Sequence, residues 1–174
     1  ALESQLQHDR SVRASEYDAK YQALQRRLAA LFQAANDQER VTVMLEMMRI
    51  LENRLVYLQN FTVDATPENR TLAQLVTRFI DELSSPVLTT LEATYYRGVA
   101  ALYAGDLAAA REGFSTACAS EESDEANDIK YKSYVILGHL SHEEQDYAKA
   151  KELHEQSLRY SANDNVTAQA LALK

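Results

Sequence analysis

At 174 residues the chain has room for one large domain or two small ones with a sizeable buried core. Hydrophobic residues make up 46% and charged residues 25%, with only four Gly and two Pro, so an all-β fold rich in turns is excluded and a helical one expected. A net charge of −8 disfavours nucleic acid as a partner, and no run reaches the roughly 18 apolar residues of a membrane span.

The single cysteine, Cys118, rules out an intrachain disulfide and offers no thiolate metal framework. It fits a reducing compartment, and a cytoplasmic location is expected. The chain opens on Ala rather than Met, shows no signal peptide and stops inside an apolar pattern, as a fragment of a larger protein would.

From Ala1 to Arg13 the pattern is polar, anchored by Leu2, Leu6 and Val12, and reads as an exposed helix end. From Ala14 the spacing sharpens. Tyr17, Tyr21, Leu24, Leu28 and Leu31 alternate steps of four and three, a heptad seam. Asn36-Asp37 marks a turn and cap, and Val41, Met44, Met48, Leu51, Leu55 and Leu58 continue the seam on a second helix. The two form an antiparallel hairpin over residues 1–61, whose stripes pack on each other and on the rest of the chain. A coiled-coil homodimer through this hairpin is the alternative.

The boundary falls near Phe61 to Pro67, and residues 62–174 form the second region. Thr66-Pro67 signals a helix start. Leu72, Leu75, Val76, Phe79, Ile80 and Leu83 line the helix that follows. Ser85 as N-cap and Pro86 in the first turn then predict a helix carrying Leu88, Leu91, Tyr95 and Leu102 on to Gly105.

From Tyr95 the chain repeats itself. Gly98, Asp106, Ala110, Phe114 and Ala117 are echoed 40 positions later by Gly138, Asp146, Ala150, His154 and Ser157. A Gly inside a helical pattern costs about 1 kcal/mol relative to Ala, which is useful where another helix must approach closely; Ala110 and Ala150 are the expected answering residues. Gly105-Asp106 and Gln145-Asp146 fall between apolar runs, where Gly supplies positive φ and Asp caps the next helix. The unit is helix, tight turn, antiparallel helix. The spacing leaves about six residues beyond a 34-residue period, and the acidic run Ser120 to Glu125 is the expected place for them. A further first helix is expected at Val166 to Ala172, giving about eight helices in all.

These residues resemble the tetratricopeptide repeat family, whose units carry large residues and Gly on one helix and small and aromatic residues on the next. The second copy matches through Tyr134, Leu137, Gly138, Asp146, Tyr147, Ala150 and His154; the first through Gly98, Gly105, Asp106, Leu107, Ala110, Phe114 and Ala117. The first departs at Thr94 and Arg97, and neither copy ends in the usual Pro, Glu122 and Ala162 standing there. The resemblance implies an all-α fold in which antiparallel helical hairpins stack as a right-handed α-solenoid beside the N-terminal hairpin. It implies a groove lined by Tyr95, Val99, Leu102 and Tyr103 of the first copy and Lys132, Val135, His139 and His142 of the second. Tyr95 and Val99 stand where a carboxylate clamp needs Lys and Asn. The groove therefore suits an apolar or aromatic peptide or helix.

Candidate chemistry is thin. His139, His142 and His154 with Glu143 and Glu144 could be imagined around a metal, but no HExxH spacing is present and repeat packing already accounts for His154. Cys118 reads as a small core residue. No phosphate loop or nucleophile motif occurs, so no enzyme, catalytic residue, metal or cofactor is expected. The expected function is a protein-interaction scaffold; the alternative is a regulatory or dimerisation segment of a larger signalling protein.

Overall fold

With few Gly or Pro to interrupt them, the apolar periodicities close into helices. A computed structural model describes residues 2–34, 37–57, 63, 66–82 and 89–160, and among them there are seven α-helices and no strand. They are α1 (Leu2–Ala34), α2 (Asp37–Tyr57), α3 (Pro67–Glu82), α4 (Thr90–Ala104), α5 (Leu107–Cys118), α6 (Asp124–Glu143) and α7 (Tyr147–Leu158). The fold is all-α. The helix expected at Val166 to Ala172 lies outside the described residues, as do Leu58, Leu83, Ser85, Pro86 and Leu88. No helix among the described residues is long and apolar enough to cross a membrane. The chain divides into two compact units, Ala1–Thr62 and Val63–Lys174.

In the first unit α1 packs on α2. Tyr21 and Leu28 of the expected seam are buried and Leu24 is half-buried; the side chains of Tyr17 and Leu31 are outside the description. On α2 the buried stripe holds Met44, Met48, Leu51 and Leu55 as expected and adds Val43, Met47 and Val56. Arg27 reaches Glu46 at 3.5 Å, a pairing across the turn that fits antiparallel helices. Both side chains are about half exposed, so the pair adds little stability.

The second unit is a chain of neighbours: α3 packs on α4, α4 on α5, α5 on α6 and α6 on α7, with α4 also touching α6. Thr66 Oγ1 accepts the Asn69 N–H at 3.2 Å, with Pro67 opening α3. This arrangement caps the helix and leaves Pro where no intrahelical donor is needed. Ala73, Val76 and Ile80 are buried, with Leu72, Leu75 and Phe79 at the edge of the stripe. Arg97 of α4 is ion-paired with Asp81 of α3.

One boundary differs from the sequence reading. The cap of α4 is Thr89, not Ser85: Thr89 Oγ1 accepts from the Glu92 N–H at 3.1 Å and Glu92 returns the contact to the Thr89 N–H. A reciprocal capping box satisfies two end donors at once. The acidic run, the expected place of the extra residues, leads into the start of α6. Ser123 caps it by accepting from the Ala126 N–H at 3.1 Å, and Asp124 and Glu125 lie in its first turn. Carboxylates there face the positive end of the helix dipole. Helix α6 consequently runs 20 residues against 15 for α4, so much of the extra length enters as helix.

Candidate binding surface

The site is built from one constellation used twice. Gly105 ends α4 with φ +83°, and the Asp106 N–H donates back to the Ala101 carbonyl at 2.9 Å. Asp106 then accepts the Ala109 N–H at 3.1 Å to start α5. In the second pair Gln145 takes φ +66°, Asp146 N–H donates to the Ser141 carbonyl at 2.9 Å, and Asp146 accepts from the Lys149 N–H at 3.2 Å. Closing one helix and capping the next within two residues fixes the antiparallel return. Gln145 does this without the freedom of Gly, since a left-handed backbone strains a side chain bearing Cβ.

Each helix pair is then locked by a ring on a glycine. A Cβ on Gly98 would stand 3.1 Å from the Phe114 ring, and one on Gly138 would stand 2.5 Å from the His154 imidazole. The nearest side chains to the glycines are rings, rather than Ala110 and Ala150 as the sequence suggested, although both alanines are buried. The sequence reading also passed over Gly113: a Cβ there would lie 3.3 Å from Gly98 Cα and the Thr94 carbonyl, so in the first pair two backbones meet. Its mid-helix position was the available signal, because Gly there costs stability unless a close contact requires it.

Six of the eight expected groove residues are interior. Tyr95, Val99, Leu102, Tyr103, Val135 and His139 are all buried within the chain. Tyr95 shows the physical reason: its ring packs on Phe114 at 5.8 Å and Tyr96 at 5.5 Å between centroids, so the unit's own core absorbs it. Lys132 is half-buried and paired with Asp128 at 2.9 Å, one turn earlier. His142 is exposed and meets Tyr147 edge-on at 5.0 Å. Of the eight, only Lys132 and His142 keep side chains open to solvent.

A groove of about 570 Å³ lies elsewhere, between α5, α6 and α7. Cys118, Tyr134, Leu137 and Leu153 supply carbon and sulfur, and Arg111, Glu144, Asp146 and Lys149 supply charge. Arg111 is ion-paired with Glu144, which ties α5 to the end of α6. Tyr134 stacks on Tyr160 with centroids 5.7 Å apart, and the Lys130 ammonium sits 5.1 Å from the Tyr160 ring. Burial pushes the Cys118 thiol up to about 12 despite Lys130, leaving it protonated and a poor nucleophile at neutral pH. Burial, with Cys118 and Tyr160 nearby, also raises the Tyr134 phenol above its ordinary value.

The histidines do not assemble a metal site: among the described residues no group of three or more His, Cys, Asp or Glu is placed to hold an ion. His139 and His154 instead meet edge to face, centroids 5.3 Å apart. Burial first, then the neighbouring imidazoles, pushes His139 down to about 3 and His154 to about 4, so both rings are neutral at pH 7. No family model, curated protein or solved structure matches the chain.

Proposed function

We propose that the chain is a protein-interaction scaffold whose second unit uses stacked tetratricopeptide-like helix pairs, in a solenoid sense, to hold a partner peptide or helix. The observation that carries this reading is the recurrence, at a spacing of 40 residues, of one turn, one cap and one glycine–ring contact. Structural repeats of this kind stack neighbours to extend a surface rather than to enclose a reaction centre. The raised Cys118 thiol fits a packing rather than a nucleophilic role.

Two accessible surfaces suit an apolar or aromatic segment. One is the α6 surface bearing Lys132 and His142; the other is the groove around Tyr134 and Leu153. Selecting peptides from a random library on the immobilised chain, then measuring them against two variants, separates them. Aromatic-rich binders are expected that lose at least about tenfold affinity, equivalent to about 1.4 kcal/mol, with one variant only. Loss with Lys132→Glu/His142→Glu assigns the first surface, and loss with Tyr134→Asp/Lys149→Glu the second. Binders indifferent to both would remove the scaffold reading from this unit.

Helix α1 supports a second reading. It runs 33 residues against 21 for α2, more length than the hairpin partner can cover, which favours a dimerisation segment of a larger signalling protein. Sedimentation equilibrium with and without residues 1–61 tests it: a dimer lost on truncation supports this reading, and a monomer in both cases excludes it. We place the scaffold in the cytoplasm, consistent with its single thiol.

A further inference from the structure

Positions 99 and 114 of the first pair correspond to 139 and 154 of the second under the 40-residue spacing. The first pair fills them with Val99 and Phe114, the second with His139 and His154, and all four are buried. The His154 ring presses on Gly138 and faces the His139 ring edge-on. Its Nδ1 has no hydrogen-bond partner among the described residues. A proton added to either imidazole would put a cation beside a second basic ring where water is excluded.

We propose that the α6–α7 pair is an acid-opened element: protonation of the His139–His154 contact separates α7 from α6 while α4 and α5, with carbon at the equivalent positions, stay packed.

His142 on α6 acts on both rings and is itself basic. Glu143 and Glu144 are exposed at the end of α6, and Glu144 is engaged by Arg111 of α5. From α7 comes Tyr147, which packs on His142. Closed, the two histidines sit near 3 and 4; open, they return to the ordinary value of 6.5. Below 6.5 the open form holds more protons, so opening grows as pH falls and levels off near the closed-state values. Above 6.5 the device is silent.

Amide hydrogen exchange on the full chain at pH 7 and pH 5, corrected for the intrinsic pH dependence, tests this. Protection in α6 and α7 is expected to fall by at least about twentyfold, the ratio that one histidine returning to its ordinary value gives between pH 7 and pH 5, with α4 and α5 unchanged. The double variant His139→Val/His154→Phe, which copies the first pair, is expected to abolish the selective loss. Equal loss in both pairs, no loss in either, or selective loss retained in the variant overturns the proposal. Should the variant fail to fold, the imidazole Cε1–H resonances of the unmodified chain decide. Silence above pH 5 in the folded form together with the selective loss of α6 and α7 protection upholds the proposal, and a midpoint near 6.5 for either ring overturns it.

Discussion

The first helix pair, α4–α5, and the second, α6–α7, solve one packing problem with different chemistry. Each turns back through a left-handed residue, caps the returning helix with Asp and lays a ring on a glycine. The first uses Gly105, Phe114 and Val99, each suited to its place without compromise. The second uses Gln145, His154 and His139, accepting backbone strain and two buried imidazoles. The shape of the pair is therefore specified by where a ring and a turn must go, and the chemistry of each position is left to set how firmly the pair holds. On this account the second pair is the weaker half.

Substitutions can break or sharpen that contrast. Phe114→Ala removes a fully buried ring from the first pair and is expected to cost about 4 kcal/mol in denaturant unfolding. Gly138→Leu forces a side chain into the space of the His154 ring and is expected to cost about 3 kcal/mol, because the ring is itself enclosed. An unchanged melting temperature would remove the glycine–ring contact from the second pair.

Lowering pH from 7 to 5 is expected to cost about 2 kcal/mol for each of His139 and His154. Their closed-state values are depressed, so unfolding takes up protons in this window and stability falls with pH. Thermal unfolding of the unmodified chain at both pH values, set beside the same comparison for His139→Val/His154→Phe, isolates their share. Removing a cap by Asp106→Ala or Asp146→Ala is expected to cost about 1 kcal/mol in either pair. The smallest effect runs the other way: Gln145→Gly relieves the left-handed residue and is expected to raise stability by about 0.5 kcal/mol. Gly105→Gln should reverse it in the first pair.

The sequence made some of this readable and left the rest hidden for physical reasons. Asp106 and Asp146 were legible because capping depends on neighbours one turn away, and Phe114 and His154 because a repeated ring at fixed spacing needs a repeated space. Thr89 was equally legible through Glu92 three residues on, but Pro86 pointed to an earlier start. The fate of Tyr95, Val99 and Val135 was not legible: a stripe at helical spacing says that a face is covered, not whether core or partner covers it. In this chain the core does. The groove of α5, α6 and α7 joins residues from three elements, and no local pattern in any one of them announces it.

The most direct test of the shared geometry is the unfolding free energy of His154→Phe at pH 7. If the two pairs are one unit used twice, Phe fits against Gly138 as Phe114 fits against Gly98, and removing an unpartnered buried nitrogen leaves the chain at least as stable, by about 1 kcal/mol. A loss of about 2 kcal/mol or more, the range expected for overpacking, would contradict the equivalence and make the glycine–ring contacts two unrelated solutions.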